Sequence, residues 1–208
     1  VVNTMMTSIF IIGVGIVMWV LFGYSLSFAP SGNAFIGDFR WLGLEGVSLT
    51  EGYTDDASIP NMVFSAFQMM FAVITPALIT GAVAGRMKFK SIFVFTIFWS
   101  LIVYYPLAHM VWNGGLLSAD GAISQAIGAA AHDFAGGTVV HINAAVAALV
   151  IVLIIGKRKG FGTQPFRPHN VPFVMLGAFL LWFGWFGFNA GSAFAANGTA
   201  RVPRGSTS

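Results

Sequence analysis

The chain of 208 residues contains no cysteine, which excludes disulfide staples, thiol nucleophiles and thiolate metal sites. Charged side chains make up only 8% of it, against roughly 25% in a soluble domain. Histidine occurs four times: His109, His132 and His169 are scattered, and no second histidine falls near His141 at ligand spacing. No low-complexity segment is present. The opening VVNTMM leads into a hydrophobic run too long for the h-region of a signal peptide. What the chain does have is apolar surface. Hydrophobic residues make up 57% and the mean hydropathy is +0.81, so the expected class is an all-α, polytopic membrane protein in an inner or plasma membrane, with the lipid bilayer as solvent. The net charge of +3 carries no message about nucleic acid, because the basic residues are confined to short connections, and no nucleic-acid partner or cofactor is expected.

Five stretches are long enough to span a bilayer: Met5–Phe28, Pro60–Gly85, Ser91–Trp112, Asp133–Gly156 and Val171–Asn197. Backbone amides cannot stay unpaired in hydrocarbon, so each is expected to be helical. The connection after the second stretch carries Arg86, Lys88 and Lys90; that after the fourth carries Lys157, Arg158, Lys159 and Arg167. These are seven of the ten basic residues, and neither connection holds an acid. All acids (Asp38, Glu45, Glu51, Asp55, Asp56, Asp120, Asp133) fall in the other two connections or at their ends. The positive-inside bias then puts the N-terminus and the two basic connections in the cytoplasm. Small residues at packing spacing, Gly81-x-x-x-Gly85 and Gly187-x-x-x-Gly191, read as close helix contacts. The C-terminal Val202-Pro-Arg-Gly-Ser206 resembles a protease-site remnant. Residues 1–200 are therefore expected to form one transmembrane domain and 201–208 a tag remnant.

The strongest local signal is His141, in the run DFAGGTVVHINAAVAALVIVLII from Asp133 to Ile155. A titratable side chain at membrane depth is expensive and usually faces a bundle interior or a water-accessible path. Counted from Asp133, helical rise puts it about 12 Å inward. The outward ends collect aromatics and a hydroxyl. Trp112 ends the third stretch, Phe67 lies one turn above Phe71, and Ser192 lies one turn above Phe188. Residues four apart share a helix face. If those faces converge, the order inward is an aromatic and hydroxyl cup, a double phenyl constriction, then His141. That order suits a small cation. Aromatic faces attract ammonium-type ions, a bare cation meets a desolvation penalty at the constriction, and a weak-acid cation can shed its proton and cross neutral, with an imidazole as acceptor or relay. Each residue alone has a plainer reading. Trp112 fits an interfacial belt, and Phe67, Phe71 and Phe188 are three of 21 phenylalanines. Ser192 fits a back-bonding helix hydroxyl, Asp133 a helix cap, and His109 a bond to a neighbour.

The run Asp133-Phe-Ala-Gly-Gly-Thr-Val-Val-His-Ile-Asn143 resembles the signature of the Amt/Mep ammonium transporters, within the Amt/Mep/Rh superfamily. Gly23-Tyr-Ser-Leu-Ser-Phe28, Ala108-His-Met-Val-Trp112, Gly156-Lys-Arg, Pro168-His-Asn170 and Gly184-Trp-Phe-Gly-Phe-Asn-Ala-Gly-Ser192 fit the same family in the same order. The resemblance implies transport of ammonium or ammonia, with methylammonium as an analogue, rather than an enzyme. By motif it implies recruitment at Trp112, Phe67, Phe71 and Ser192, a gate of Phe71 and Phe188, His141 as the first of two pore histidines, and Asp133 as a largely structural acid beneath the site. The Trp112–Ser192 pair points to the Amt/Mep branch rather than the similar Rh proteins. A homotrimer with one pore per subunit and a PII-type regulator on the cytoplasmic face are implied partners.

The resemblance also implies about eleven spans built from two inverted five-helix repeats. The five stretches here match the second to sixth. The first span, the second pore histidine and the cytoplasmic tail have no counterpart in this sequence, and one copy is not expected to enclose a pore alone. Three other classes stay open: an ammonium sensor without flux, a membrane redox protein using His141 as an axial ligand, and a fragment that folds without activity.

Overall fold

The computed structural model describes residues 2–30, 32–54 and 57–201. Asp55, Asp56 and the tag-like 202–208 lie outside them. Five helices are long and apolar enough to cross a membrane: α1 (Val2–Phe28), α2 (Asn61–Val83), α3 (Phe89–Trp112), α5 (Gly137–Ile155) and α6 (Val171–Gly191). Two short helices, α4 (Ala122–Ile127) and α7 (Gly198–Arg201), sit in connections. Among the described residues no strand forms; Gly52 and Pro60 make an isolated bridge.

Helix ends differ from the sequence expectation by up to three residues at most places and by more at two. The fourth span begins at Gly137 rather than Asp133, because the Asp133 side chain turns back to bind amides that the first turn leaves free. His141 is therefore four residues, about 6 Å of rise, inside its helix rather than about 12 Å. The last span stops at Gly191, not Asn197; turns follow, and Phe194 takes a positive φ of 52°.

Three spans contain a π-helical turn: Trp19–Gly23 in α1, Ser100–Tyr104 in α3, and Gly137–Ile142 opening α5. The turn in α3 precedes Pro106, which has no amide to donate and whose ring crowds the carbonyl four residues back. A wider turn there absorbs both problems. In α2, Pro76 likewise lacks an amide, and Thr75 donates its hydroxyl to the Phe71 carbonyl at 2.6 Å.

α2 is the central post. Half of its apolar window is buried, whereas none of α6's is. The core beside it is aromatic: Trp19, Tyr24, Phe28, Phe71, Tyr104 and Tyr105 are almost wholly buried. Gly23 lets α1 close on α3, since a Cβ there would stand 2.7 Å from the Tyr105 ring. Two of these rings have partners for their polar atoms: Trp19 Nε1 donates to the Ser65 carbonyl at 3.1 Å, and Tyr24 donates to Asn61 Oδ1. The glycine pairs behave otherwise than the packing reading expects. A Cβ on Gly81 or Gly187 would meet nothing within 4 Å, while one on Gly191 would strike the Phe67 ring at 2.9 Å.

The ends of the bundle are tied differently. At one end the α1–α2 connection folds down onto the helices. Ser25 Oγ donates to the Asp38 carbonyl at 2.8 Å and accepts from the Trp41 amide at 3.0 Å, and the Trp41 ring stacks on Tyr24. His109 lies buried beneath, its Nε2 2.8 Å from the Asn33 carbonyl and its Nδ1 3.1 Å from the Asn113 amide nitrogen. A carbonyl only accepts, so Nε2–H donates to Asn33, while Nδ1 lies between the Asn113 amide and the Ser27 carbonyl, 3.2 Å away. At the opposite end two arginines cross: Arg86, after α2, donates to the Gly156 carbonyl at 2.8 Å, and Arg158, after α5, donates to the Gly81 carbonyl at 3.1 Å.

Candidate functional site

Asp133 organises the site. One carboxylate oxygen accepts from the Gly136 amide at 2.6 Å; the other accepts from Thr138 and Val139, each at 2.8 Å. Three donors and the positive end of α5 hold the carboxylate in place. The loop between needs Gly136, whose φ is +89° and where a Cβ would stand 2.7 Å from Val140 and 3.3 Å from Phe71. The Asp133 carbonyl accepts from Trp112 Nε1 at 3.0 Å, so the carboxylate indirectly fixes the indole that ends α3.

Trp112 and Asp133 border a cavity of about 460 Å³, together with Phe28, Tyr53, Phe71 and Ser192. Trp112 stacks parallel to Phe28 and stands perpendicular to Phe71 at 5.7 Å. Ser192 Oγ donates to the Phe188 carbonyl at 3.0 Å, the back-bonding arrangement, which leaves its lone pairs free to accept. Tyr53, from the α1–α2 connection, donates to Asn113 Oδ1; burial pushes its hydroxyl well above its ordinary pKa of 10.0, so it stays a donor.

Below the cavity the rings form a ladder. Phe71 stacks on Phe188 at 4.2 Å with 27° between planes. Phe188 stacks on Trp185 at 5.0 Å, and Trp185 lies 5.4 Å from the His141 ring. Phe71, which also borders the cavity, is 1% exposed. The structure thus brings Trp112, Phe71, Ser192 and Asp133 to one cavity and links them through Phe188 to His141. Phe67 is the exception: it does not border the cavity, and its ring packs on Phe71 at 5.0 Å and on Phe194 at 5.7 Å.

Sequence reasoning missed four neighbours. Trp185 lies three residues before Phe188 on α6, a helical spacing that was available to be read. Gln68 borders the cavity, and its Oε1 is buried without a hydrogen-bond partner; it lies three residues before Phe71, the same helical spacing. Tyr53 and Phe194 come from a connection and a helix end, and no pattern flags them. Among the described residues no three His, Asp or Glu side chains converge on a metal position.

These features define a polytopic α-helical membrane protein with an aromatic vestibule that ends in stacked phenyl rings above a histidine. Within that class the chain belongs to the Ammonium Transporter Family, whose model matches residues 1–207. It is 48% identical over 200 residues to an ammonium transporter of Bacillus subtilis, covering 96% of this chain and 46% of that protein. Among solved structures, Candida albicans Mep2 superposes with a TM-score of 0.75 at 32% identity, over 92% of this chain and 41% of Mep2. A structure described as a sensor Amt protein superposes at 0.72 with 30% identity, over 97% of this chain and 47% of that one. The chain spans a little under half the length of the curated relatives it matches.

Proposed function

We propose that the protein of which these five spans are the working half carries ammonium across a cell membrane. Ammonium collects in the cavity among Trp112, Phe71 and Ser192, where aromatic faces attract the cation and the Ser192 lone pairs accept an N–H. Phe67 serves as a ring backing Phe71 rather than as a wall. The stacked Phe71–Phe188 pair excludes a hydrated ion, so the cation gives up its proton to solvent water in the cavity before the gate. Ammonia then passes Trp185 and His141, with or without a separately relayed proton, and leaves on the side of Arg86 and Arg158. That side is cytoplasmic, on the distribution of basic residues. Residues 1–200 are the transmembrane domain; the assembly is a homotrimer with a pore in each subunit, and a PII-type protein regulates it from the basic face.

The observation that carries this reading is the unbroken ring ladder from the cavity floor to His141. Replacing Trp112 by Leu in the intact protein is expected to raise the KM for methylammonium uptake several-fold, the loss of about one cation–π contact. Uptake with an unchanged KM would sink the recruitment role. A sensor without flux is the second reading, favoured by the likeness to the sensor Amt structure. Saturable ammonium binding with no uptake by the unaltered protein would decide for it.

A further inference from the structure

Phe194 borders the cavity beside Ser192 and Ala193, in a backbone conformation that bulky L-residues avoid, with φ +52°. Such a conformation persists only where its surroundings hold it. Here three things do. The Phe194 amide donates to the Gly191 carbonyl at 2.9 Å. The Phe194 carbonyl accepts from Ser58 Oγ at 2.9 Å, 136 residues away along the chain. The ring stands against Phe64 at 5.2 Å and against Phe67 at 5.7 Å, both near edge-on. The Ser58 bond ties the α1–α2 connection to the turn after α6, two residues past the Ser192 hydroxyl, and Ser58 itself borders the cavity.

We propose that Phe194 is a further cation-facing wall of the cavity, held over it by Ser58, and that this pair sets how tightly the cavity holds ammonium. The inference rests on the recruitment reading and adds to it a residue and its positioning partner. It also accounts for the position of Phe67, whose ring backs Phe194 as well as Phe71. Ser58 acts by fixing the turn that carries Phe194 and Ser192.

The test is a titration of the purified intact protein with ammonium chloride against sodium chloride at matched ionic strength, read by tryptophan fluorescence, since Trp112 borders the cavity. F194L is expected to weaken apparent ammonium affinity roughly three- to fivefold, the range of one cation–π contact, while F194Y stays within about twofold of the unaltered protein because it keeps an aromatic face. S58A is expected to weaken affinity in the same direction. The double variant S58A/F194L should be no weaker than F194L, because the serine works through the ring. Should F194L fail to fold, F194Y and S58A carry the test: S58A binding as tightly as the unaltered protein overturns the inference. So does F194L at unaltered affinity. An unaltered protein with no ammonium-specific signal would overturn the recruitment reading and this inference together, whereas a bound unaltered protein with an indifferent F194L removes this inference alone.

Discussion

At the scale of single residues, Asp133 is a charged group that borders the cavity while its carboxylate is turned to the backbone. Its two oxygens are engaged by three backbone amides, and its carbonyl holds the Trp112 indole. D133A should cost about 2 kcal/mol or more, since a lost cap alone is worth about 1 and amides are left unpaired besides. D133N, which keeps one acceptor oxygen, should cost less. Thermal unfolding in detergent orders the two, and equal melting temperatures would contradict the capping account. Gly136 is the companion test. Alanine there meets both a positive φ and the Val140 and Phe71 side chains, so G136A should destabilise by at least about 1 kcal/mol and loosen Phe71. The grouping of Trp112, Phe71, Phe188, Ser192 and His141 could be anticipated in the sequence, because each sits in a run whose helical spacing is local; that Trp112, Phe71, Ser192 and Asp133 border one cavity is what packing adds. For Phe67, spacing says that it shares a face with Phe71, but not that its ring would also pack on Phe194.

Elements carry information that single residues do not. Three of the five spans include a π-helical turn, and an extra residue in a turn rotates everything beyond it by about 100° relative to an ideal 3.6-residue wheel. A face predicted from periodicity therefore slips after Gly23, Tyr104 or Ile142. His141 lies within such a turn, where local departures from the α ladder recur at functional positions. At the other end of the bundle the Arg86 and Arg158 side chains cross between α2 and α5, each on a carbonyl at the end of the other helix. Late-helix carbonyls lack intrahelical donors and carry the negative end of the dipole, so arginine suits them. R86A and R158A should each cost about 1 kcal/mol, at the low end for a hydrogen bond to a charged group because both sites are solvent-facing. The double variant should cost less than the sum, because both bonds clamp one helix pair. Strict additivity in melting measurements would mean two independent surface bonds rather than a clasp.

For the whole molecule, the telling feature is α6. It supplies Phe188 and Trp185 to the ladder, yet none of its apolar window is buried, and Phe183 stands 81% exposed. Lipid can cover part of that surface, but a helix that lines a path needs protein on its far side to close it. The chain also covers only 46% of the B. subtilis relative, and the expectation to be tested is that these residues alone do not close a pore wall. Native mass spectrometry of the purified membrane protein is expected to find three copies per assembly. A monomer that still takes up methylammonium would contradict both the trimer and the unclosed wall.

Much of this architecture was settled by the sequence before any packing was known. Low charge, the absence of cysteine and five long apolar runs force a helical membrane protein, because lipid offers the backbone no other partner, and the basic connections mark one side of it. Convergence is what only the tertiary structure decided. The 4.2 Å stack of Phe71 on Phe188, the position of Trp185 between Phe188 and His141, the fold of the α1–α2 connection over the cavity and the bond from Ser58 to Phe194 all join residues far apart in the chain. Periodicity and composition act over a few turns of one helix; which turn meets which across the bundle depends on helix ends, π turns and side-chain volumes together, and those are resolved only by packing.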